Sequence, residues 1–251
     1  MTTTYELRPL SIGEILDGAL VLLRRHFGLL LGIALLCQGV PAVLDVYIAL
    51  TGGSTQNPGF SLLDRLLTAV GGVLVTGATV RVVSEAYLGR SPVFGEAMSF
   101  AGSRFGTILG ANIISGFLTV LATVAFIIPG IVVACGYSVA ATAAALESGS
   151  STDALRHSWA LTKGFRWKAL GLFVVAIGAL VIVYFSAGVL AGLGGAVIGA
   201  TDTLVALVTA LVSLLIYPVL SCVFTVFYYD LRVRKEGFDI EMLSNQLTAA
   251  T

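Results

Sequence analysis

Two histidines and three cysteines are the residues of this sequence best suited to chemistry by type. His26 and His157 each lie beside or near an arginine, and an imidazole can act as a base or as a metal ligand. Because both fall among the arginines that flank apolar stretches, we interpret them as contacts to water or to lipid head groups. The cysteines lie far apart inside apolar stretches, so we interpret them as small core residues: Cys37, Cys135 and Cys222.

No catalytic motif accompanies these side chains in the sequence. It has no His-Glu-x-x-His pair, no nucleophile elbow and no phosphate-binding loop, which are the patterns that hold a zinc ion, a reactive serine and a nucleotide. We therefore predict a protein without enzymatic activity, cofactor or metal ion.

Polar side chains inside apolar stretches are stronger candidates, because such groups are costly in lipid and often have a function. Gln38 and Asp45 lie seven residues apart on one face of the first apolar stretch, 27–50. Asp64 and Arg65 lie at the start of the second, 62–80. Two hypotheses fit this pattern. Asp45 and Arg65 form a structural ion pair at the outer surface, or the four residues line a polar vestibule that recognises a head group or a small solute.

Two further stripes contain small polar residues at helical spacing. Hydroxyl groups of this kind hold helices together in lipid and can bond to their own backbone, so packing is the first interpretation and a conduction path is the alternative. The stripes consist of Asn112, Ser115, Thr119 and Thr123, and of Thr209, Ser213, Tyr217, Ser221 and Thr225.

The composition shows in which solvent these residues work. Hydrophobic residues make up 57% of the 251 residues and charged residues 11%, whereas soluble domains have about half and about a quarter. Lipid is therefore the solvent for much of the chain. A net charge of zero argues against binding to nucleic acid, which needs a surplus of clustered cations.

Six stretches are long and apolar enough to cross a bilayer, which takes roughly 20 residues of helix. Because a spanning segment must satisfy its own backbone hydrogen bonds, we predict an all-α polytopic membrane protein with six transmembrane helices in three hairpins. The predicted spans are 27–50, 62–80, 105–128, 131–146, 168–193 and 203–229.

An amphipathic segment precedes each hairpin. The first begins at Ser11 with Glu14 three residues later, which is a capping-box pattern, and the second begins with the helix-starting pair Ser91-Pro92. A basic residue beside an aromatic then marks the entry into each hairpin, as expected at the level of the lipid head groups. We predict three interfacial helices at 11–26, 91–104 and 151–164.

The basic residues predict the orientation. Nearly all of them lie at the termini and in the connections between hairpins, and Arg65 is the exception. Because positive charge collects in the cytoplasm, we predict that both termini are cytoplasmic, with a tail at 230–251. The polar N-terminus shows no cleavage-type site, so we expect no signal peptide.

Three blocks of the sequence resemble one known family. In order along the chain they read "LRPLSIGEILDGALVLLRRHFGLLLGIALL", "ALESGSSTDALRHSWALTKGFRWKALGL" and "FYYDLRVRKEGFDIE". They are similar to the glycerophosphoryl diester phosphodiesterase membrane-domain family, whose members are multi-span proteins of bacterial inner membranes. The matching positions are Leu10, Ser11, Gly13 to Asp17, Ser158, Trp159, Leu161, Thr162, Gly164, Tyr228 to Arg232 and Glu236 to Asp239.

The resemblance implies a location in the bacterial cytoplasmic membrane but no reaction. In some relatives the membrane domain is fused to a soluble phosphodiesterase domain with clustered metal ligands, which this sequence lacks. We therefore expect no hydrolysis of glycerophosphodiesters.

The matching positions concentrate on the predicted cytoplasmic face, where acids and bases occur together. We predict an ion-paired collar formed by the interfacial helices and the tail, and solvated charges are the alternative. The collar residues are Glu14, Asp17, Arg25, Arg166, Asp230, Arg232 and Asp239.

These patterns favour a non-enzymatic scaffold or accessory subunit that binds a membrane-protein partner or organises membrane lipids. The alternative is a transporter, a channel-like protein or a lipid translocator that uses the polar vestibule and the hydroxyl stripes.

Overall fold

The part of the chain that the structure describes is helical. A computed structural model describes residues 9–51, 58–147 and 149–237, and within these ranges the chain forms helices without any strand. Six helical segments are long and apolar enough to cross a membrane, which confirms the predicted all-α polytopic fold. The helices are α1 (Ile12–Arg25), α2 (Phe27–Thr51), α3 (Pro58–Tyr87), α4 (Phe94–Ala125), α5 (Ile127–Gly136), α6 (Ala140–Leu146), α7 (Ser151–Thr162), α8 (Arg166–Ile198) and α9 (Thr201–Glu236).

Helix α1 begins with the predicted capping box. The Ser11 amide donates to the Glu14 carboxylate at 2.7 Å, and the Glu14 amide donates to the Ser11 hydroxyl at 3.3 Å. Two amides at the helix start are thereby satisfied. The apolar stripe of α1, including Ile15, Ala19 and Leu22, is buried, and the helix packs against α9.

The second predicted interfacial helix is not a separate element. Residues 94–104 continue without interruption into the span, so that α4 has 32 residues. The helix begins at Phe94 after Val93, which makes no side-chain capping bond, and the predicted start at Ser91 and Pro92 is therefore wrong. Arg104 lies inside this helix, and its side chain donates to the Glu147 carbonyl oxygen at 3.0 Å.

The fourth span is broken. It runs over Ile127–Leu146, four residues earlier than the predicted start at 131, and it consists of α5 and α6 separated by residues 137–139. A break leaves carbonyl groups without helical partners. The carbonyl oxygen of Gly136 accepts hydrogen bonds from the hydroxyls of Ser158, at 2.9 Å, and Thr162, at 3.1 Å. Side chains of α7 therefore supply the partners that the helix does not.

The remaining boundaries differ from the predicted ones mainly by extension. Helix α3 continues to Tyr87, α8 continues to Ile198, and α9 continues to Glu236. The first seven residues of the predicted tail therefore belong to the last helix, and its positions 238–251 lie outside the described residues.

The buried core lies at one end of the bundle. Helix α9 is at its centre and packs against α1, α2, α3 and α8, and Phe227, Tyr228 and Leu231 are fully buried there. The opposite halves of the helices are exposed, with Val124 at 80% and Val197 at 86%. Because these surfaces are apolar, they are the ones that lipid or a partner would cover.

Candidate functional site

Asp230 is the centre of a buried ionic cluster at the core end of the bundle. Its side chain is fully buried between Lys168, at 2.5 Å, and Arg234, whose Nε lies 3.1 Å from Oδ1. The Leu10 amide also donates to Oδ1 at 2.7 Å. A buried carboxylate is tolerated when it is paired and hydrogen-bonded in this way. We call Lys168, Asp230 and Arg234 the ionic cluster.

The ionic cluster also holds the segment before α1. Lys168 Nζ and Arg234 Nη2 both donate to the Leu10 carbonyl oxygen, at 2.6 and 2.8 Å. Residues 158 and 224 positions apart in the chain are thus joined, and the segment before α1 is fixed to the start of α8 and the end of α9.

His157 lies between two carboxylates at the same end. Its Nδ1 is 2.5 Å from Glu147 Oε1, and its Nε2 is 2.6 Å from Glu236 Oε1. Both contacts are hydrogen bonds when both ring nitrogens carry a proton. Tyr228 donates to Glu147 at 2.8 Å and Arg232 donates to Glu236 at 2.6 Å. These contacts connect α7 with α9 and with the end of α6.

The predicted collar residues occupy different positions at this end. Asp230 and Arg232 are ion-paired, with Lys168, Arg234 and Glu236 as their partners. None of these partners was predicted for the collar. Arg234 and Glu236 lie four positions from their partners on the same helix, a spacing visible in the sequence. Lys168 reaches Asp230 only because α8 packs against α9.

The other predicted collar residues make different contacts or lie at the surface. Glu14 closes the capping box, Asp17 and Arg25 are exposed, and Asp239 lies outside the described residues. The Arg166 guanidinium stacks on the Trp159 ring, 4.0 Å from its centroid, which is a favourable cation–π distance.

The exposed half of the bundle contains a polar cleft between α2, α3, α8 and α9. The cleft has a volume of about 300 Å³, at the lower limit for ligand pockets, which is roughly 300 Å³. We call it the polar cleft and define it by Gln38, Asp45, Thr68, Tyr184, Ser213 and Tyr217.

Gln38 is the most buried polar residue of the polar cleft, with 4% of its surface exposed. Its Nε2 donates to the Thr68 carbonyl oxygen at 3.3 Å. Gly71 permits the close approach of α3 to α2, because a Cβ atom there would lie 2.3 Å from the Cys37 carbonyl oxygen. The predicted vestibule residue Gln38 is therefore held by the backbone of α3.

Asp45 interacts with Asp64 in this structure, and not with Arg65 as one hypothesis predicted. The two carboxyl groups are near enough for their charges to interact. The Oδ1 atom of Asp64 is buried without a hydrogen-bond partner among the described residues, and Arg65 is exposed. Three of the four predicted vestibule residues are thus near one another at or beside the polar cleft.

A second cleft of about 300 Å³ lies between α3, α4 and α9. Thr68 and Tyr217 line both clefts, and Asn112 lines only this one. Sequence reasoning placed Tyr217 and Asn112 in hydroxyl stripes but did not connect them with Gln38, because helix adjacency is not visible in the spacing.

The hydroxyl stripes make mostly local contacts. Thr209 and Ser213 donate to backbone carbonyls one turn earlier, at 2.8 and 2.7 Å, and Thr123 does the same at 2.7 Å. Ser221 reaches across to Thr76 on α3 at 3.4 Å. These bonds agree with a packing role for the stripes.

Comparison with known proteins assigns no function to these residues. No family model, no curated protein and no solved structure matches the chain. The similarity of three sequence blocks to a bacterial membrane-domain family therefore stays a prediction.

Proposed function

We propose that this chain is a non-enzymatic scaffold or accessory subunit of the membrane, which holds a lipid or part of a membrane-protein partner in the polar cleft. The observation that carries this proposal is Gln38, a buried amide in the apolar half of the bundle that faces an open cleft beside Asp45. Polar groups in such a place are costly unless they are paired, and Gln38 Nε2 is paired with the Thr68 carbonyl oxygen, so that the amide is fixed in a position where a ligand can meet it.

The core end of the bundle supports the same role. Asp230 is buried in ion pairs, and Ser158 and Thr162 are buried in bonds to the Gly136 carbonyl oxygen. Since these groups serve the fold, the core end is a rigid base from which the exposed helix halves extend.

We further propose that the protein lies in a bacterial cytoplasmic membrane, as the family that it resembles does, and that both termini are in the cytoplasm, as the distribution of basic residues indicates. Trp167, 84% exposed at the start of α8, supports a position of this end of the helix at the membrane surface. Exposed tryptophan and basic residues favour the head-group level of the membrane.

Filling the polar cleft is expected to release the ligand. In Ser213→Phe the ring would occupy the space between α8 and α9, and we expect the bound fraction of co-purified lipid or protein to fall at least about tenfold, the equivalent of 1.4 kcal/mol. Native mass spectrometry after extraction in a mild detergent measures this fraction.

The matched control is Ser186→Phe, because Ser186 is exposed on α8 and does not line the polar cleft. It should keep the ligand. Equal retention in both variants, or a wild-type protein that carries neither lipid nor partner, would contradict the proposed function.

A lipid translocator is the second candidate, and one observation favours it. Tyr217 and Thr68 line both clefts, so the two clefts adjoin each other, and a lipid translocator would use such adjoining polar sites. Movement of a fluorescent lipid between leaflets of reconstituted vesicles decides the matter, since a rate equal to that of protein-free vesicles excludes translocation.

A further inference from the structure

We infer that the polar cleft binds an ammonium group, carried by a lipid head group such as ethanolamine or by a free amine. This inference rests on the proposed function, because it names the chemistry of the ligand in the same cleft. Four features of the described residues lead to it.

The first feature is the charge of the lining. The residues that line the polar cleft include one acid, Asp45, and no lysine, arginine or histidine. An anionic ligand, such as a phosphate without a cationic group, would meet the carboxylate with no cation in the lining to offset the repulsion. The lining therefore selects a cation.

The second feature is the supply of hydrogen-bond acceptors. The Ser213 hydroxyl donates its proton to the Ala210 carbonyl oxygen at 2.7 Å, and the Gln38 amide donates to the Thr68 carbonyl oxygen at 3.3 Å. Ser213 Oγ and Gln38 Oε1 keep lone pairs that can accept a hydrogen bond. The Asp45 carboxylate is a further acceptor. A primary ammonium group has three N–H donors and no acceptor, so it matches this set.

The third feature is the acid pair. Asp45 and Asp64 interact directly, and Oδ1 of Asp64 is buried without a partner among the described residues. Two neighbouring carboxylates repel each other, and a cation bound beside them removes that repulsion. Arg65 follows Asp64 in the chain and partly offsets its charge, but the Arg65 side chain is exposed. A bound ammonium group would supply the compensating charge next to Asp45.

The fourth feature is the pair of tyrosines. Tyr184 from α8 and Tyr217 from α9 line the same cleft as Asp45 from α2. Cations bind favourably against tyrosine rings, and aromatic side chains are a common means of recognising ammonium ligands. The volume of about 300 Å³ equals roughly ten water molecules, which is enough for a small head group.

The experiment compares two lipids that differ in the head group. The purified full chain is titrated with phosphatidylethanolamine and with phosphatidylglycerol of the same acyl chains in detergent, and native mass spectrometry counts the bound lipid. We expect at least tenfold tighter binding of phosphatidylethanolamine. Asp45→Asn should abolish this preference, whereas Asp17→Asn, which changes an exposed acid on α1, should leave it unchanged.

Free ethanolamine distinguishes the two sources of the ammonium group. If it displaces phosphatidylethanolamine at millimolar concentration, the ligand is a soluble amine, and if it does not, the acyl chains contribute and the ligand is a lipid. Either result agrees with ammonium recognition.

Equal binding of the two lipids, or a preference for phosphatidylglycerol, would overturn the inference and leave the proposed function standing. Binding of neither lipid and of no protein partner would remove both. If Asp45→Asn lowers the unfolding temperature, Tyr184→Leu replaces it as the test variant, and an unchanged lipid preference in that folded variant would also overturn the inference.

Discussion

The variant Asp230→Asn is expected to lower the free energy of unfolding by about 3–5 kcal/mol, the cost of breaking a buried ion pair by removing one partner. Asparagine keeps the shape of the side chain but removes the charge that Lys168 and Arg234 share. It also places an amide N–H₂ opposite cations that can only donate. Both basic side chains are themselves largely buried, 14% and 25% exposed, so water replaces the lost partner poorly.

Intrinsic fluorescence of the protein in detergent measures this effect as an unfolding temperature. For a chain of this size we expect a decrease of roughly 10 °C, since each kcal/mol corresponds to about 2–4 °C. Asp17→Asn is the control and should change the temperature little, because Asp17 is exposed. An equal temperature for Asp230→Asn and wild type would show that the ion pairs add no net stability.

A double variant tests whether the loss of charge balance causes the loss of stability. In Lys168→Met with Asp230→Asn, one buried cation is removed together with the anion, so part of the lost stability should return. A double variant as unstable as the sum of the two single variants would show that the two residues do not interact energetically.

The features that could be predicted from the sequence are those that depend on neighbours along the chain. The capping box at Ser11 and Glu14 needs residues three positions apart, and the six apolar segments need only length and composition. Both are present in the structure. The predicted start of the second interfacial helix was wrong for the same reason: Ser91 and Pro92 are locally good helix starters, but the helix begins at Phe94.

The features that could not be predicted are contacts between distant segments. The acids and bases at the core end were identified, but Asp230 is bound by Lys168 and Arg234 and by the backbone of Leu10. Arg234 follows Asp230 by four positions on the same helix, but Lys168 and Leu10 reach the acid only through the packing of distant segments against α9. In the polar cleft, Gln38 and Asp45 followed from their spacing on one helix, whereas Tyr184 comes from another helix 139 positions after Asp45.

The break between α5 and α6 depends on a local residue, Gly136, and on contacts with the distant helix α7. Gly136 ends α5 and, as glycine, leaves room for the indole of Trp159, because a Cβ atom at position 136 would lie 2.3 Å from Trp159 Cε3. The same segment of α7 supplies Ser158 and Thr162 to the free carbonyl oxygen. The block of sequence around Trp159 thus has a structural role at this break.

Replacing Gly136 with alanine is therefore expected to destabilise the protein by about 1–3 kcal/mol, the usual cost of overpacking a filled site. The shift in unfolding temperature in detergent measures it. The matched control is Gly116→Ala on α4, where a Cβ atom meets nothing within 4 Å, and this change should be neutral or stabilising by up to about 1 kcal/mol.

The indole ring is the cause of this cost, and a double-variant cycle can show it. In a Trp159→Leu background the smaller side chain leaves space next to position 136, so Gly136→Ala should cost at least about 1 kcal/mol less than in the wild-type background, the coupling expected for residues in contact. Trp159→Leu alone is destabilising as well, because it removes the ring on which Arg166 stacks at 4.0 Å. If Gly136→Ala costs the same in both backgrounds, the backbone at the break, and not the contact with Trp159, is what requires glycine.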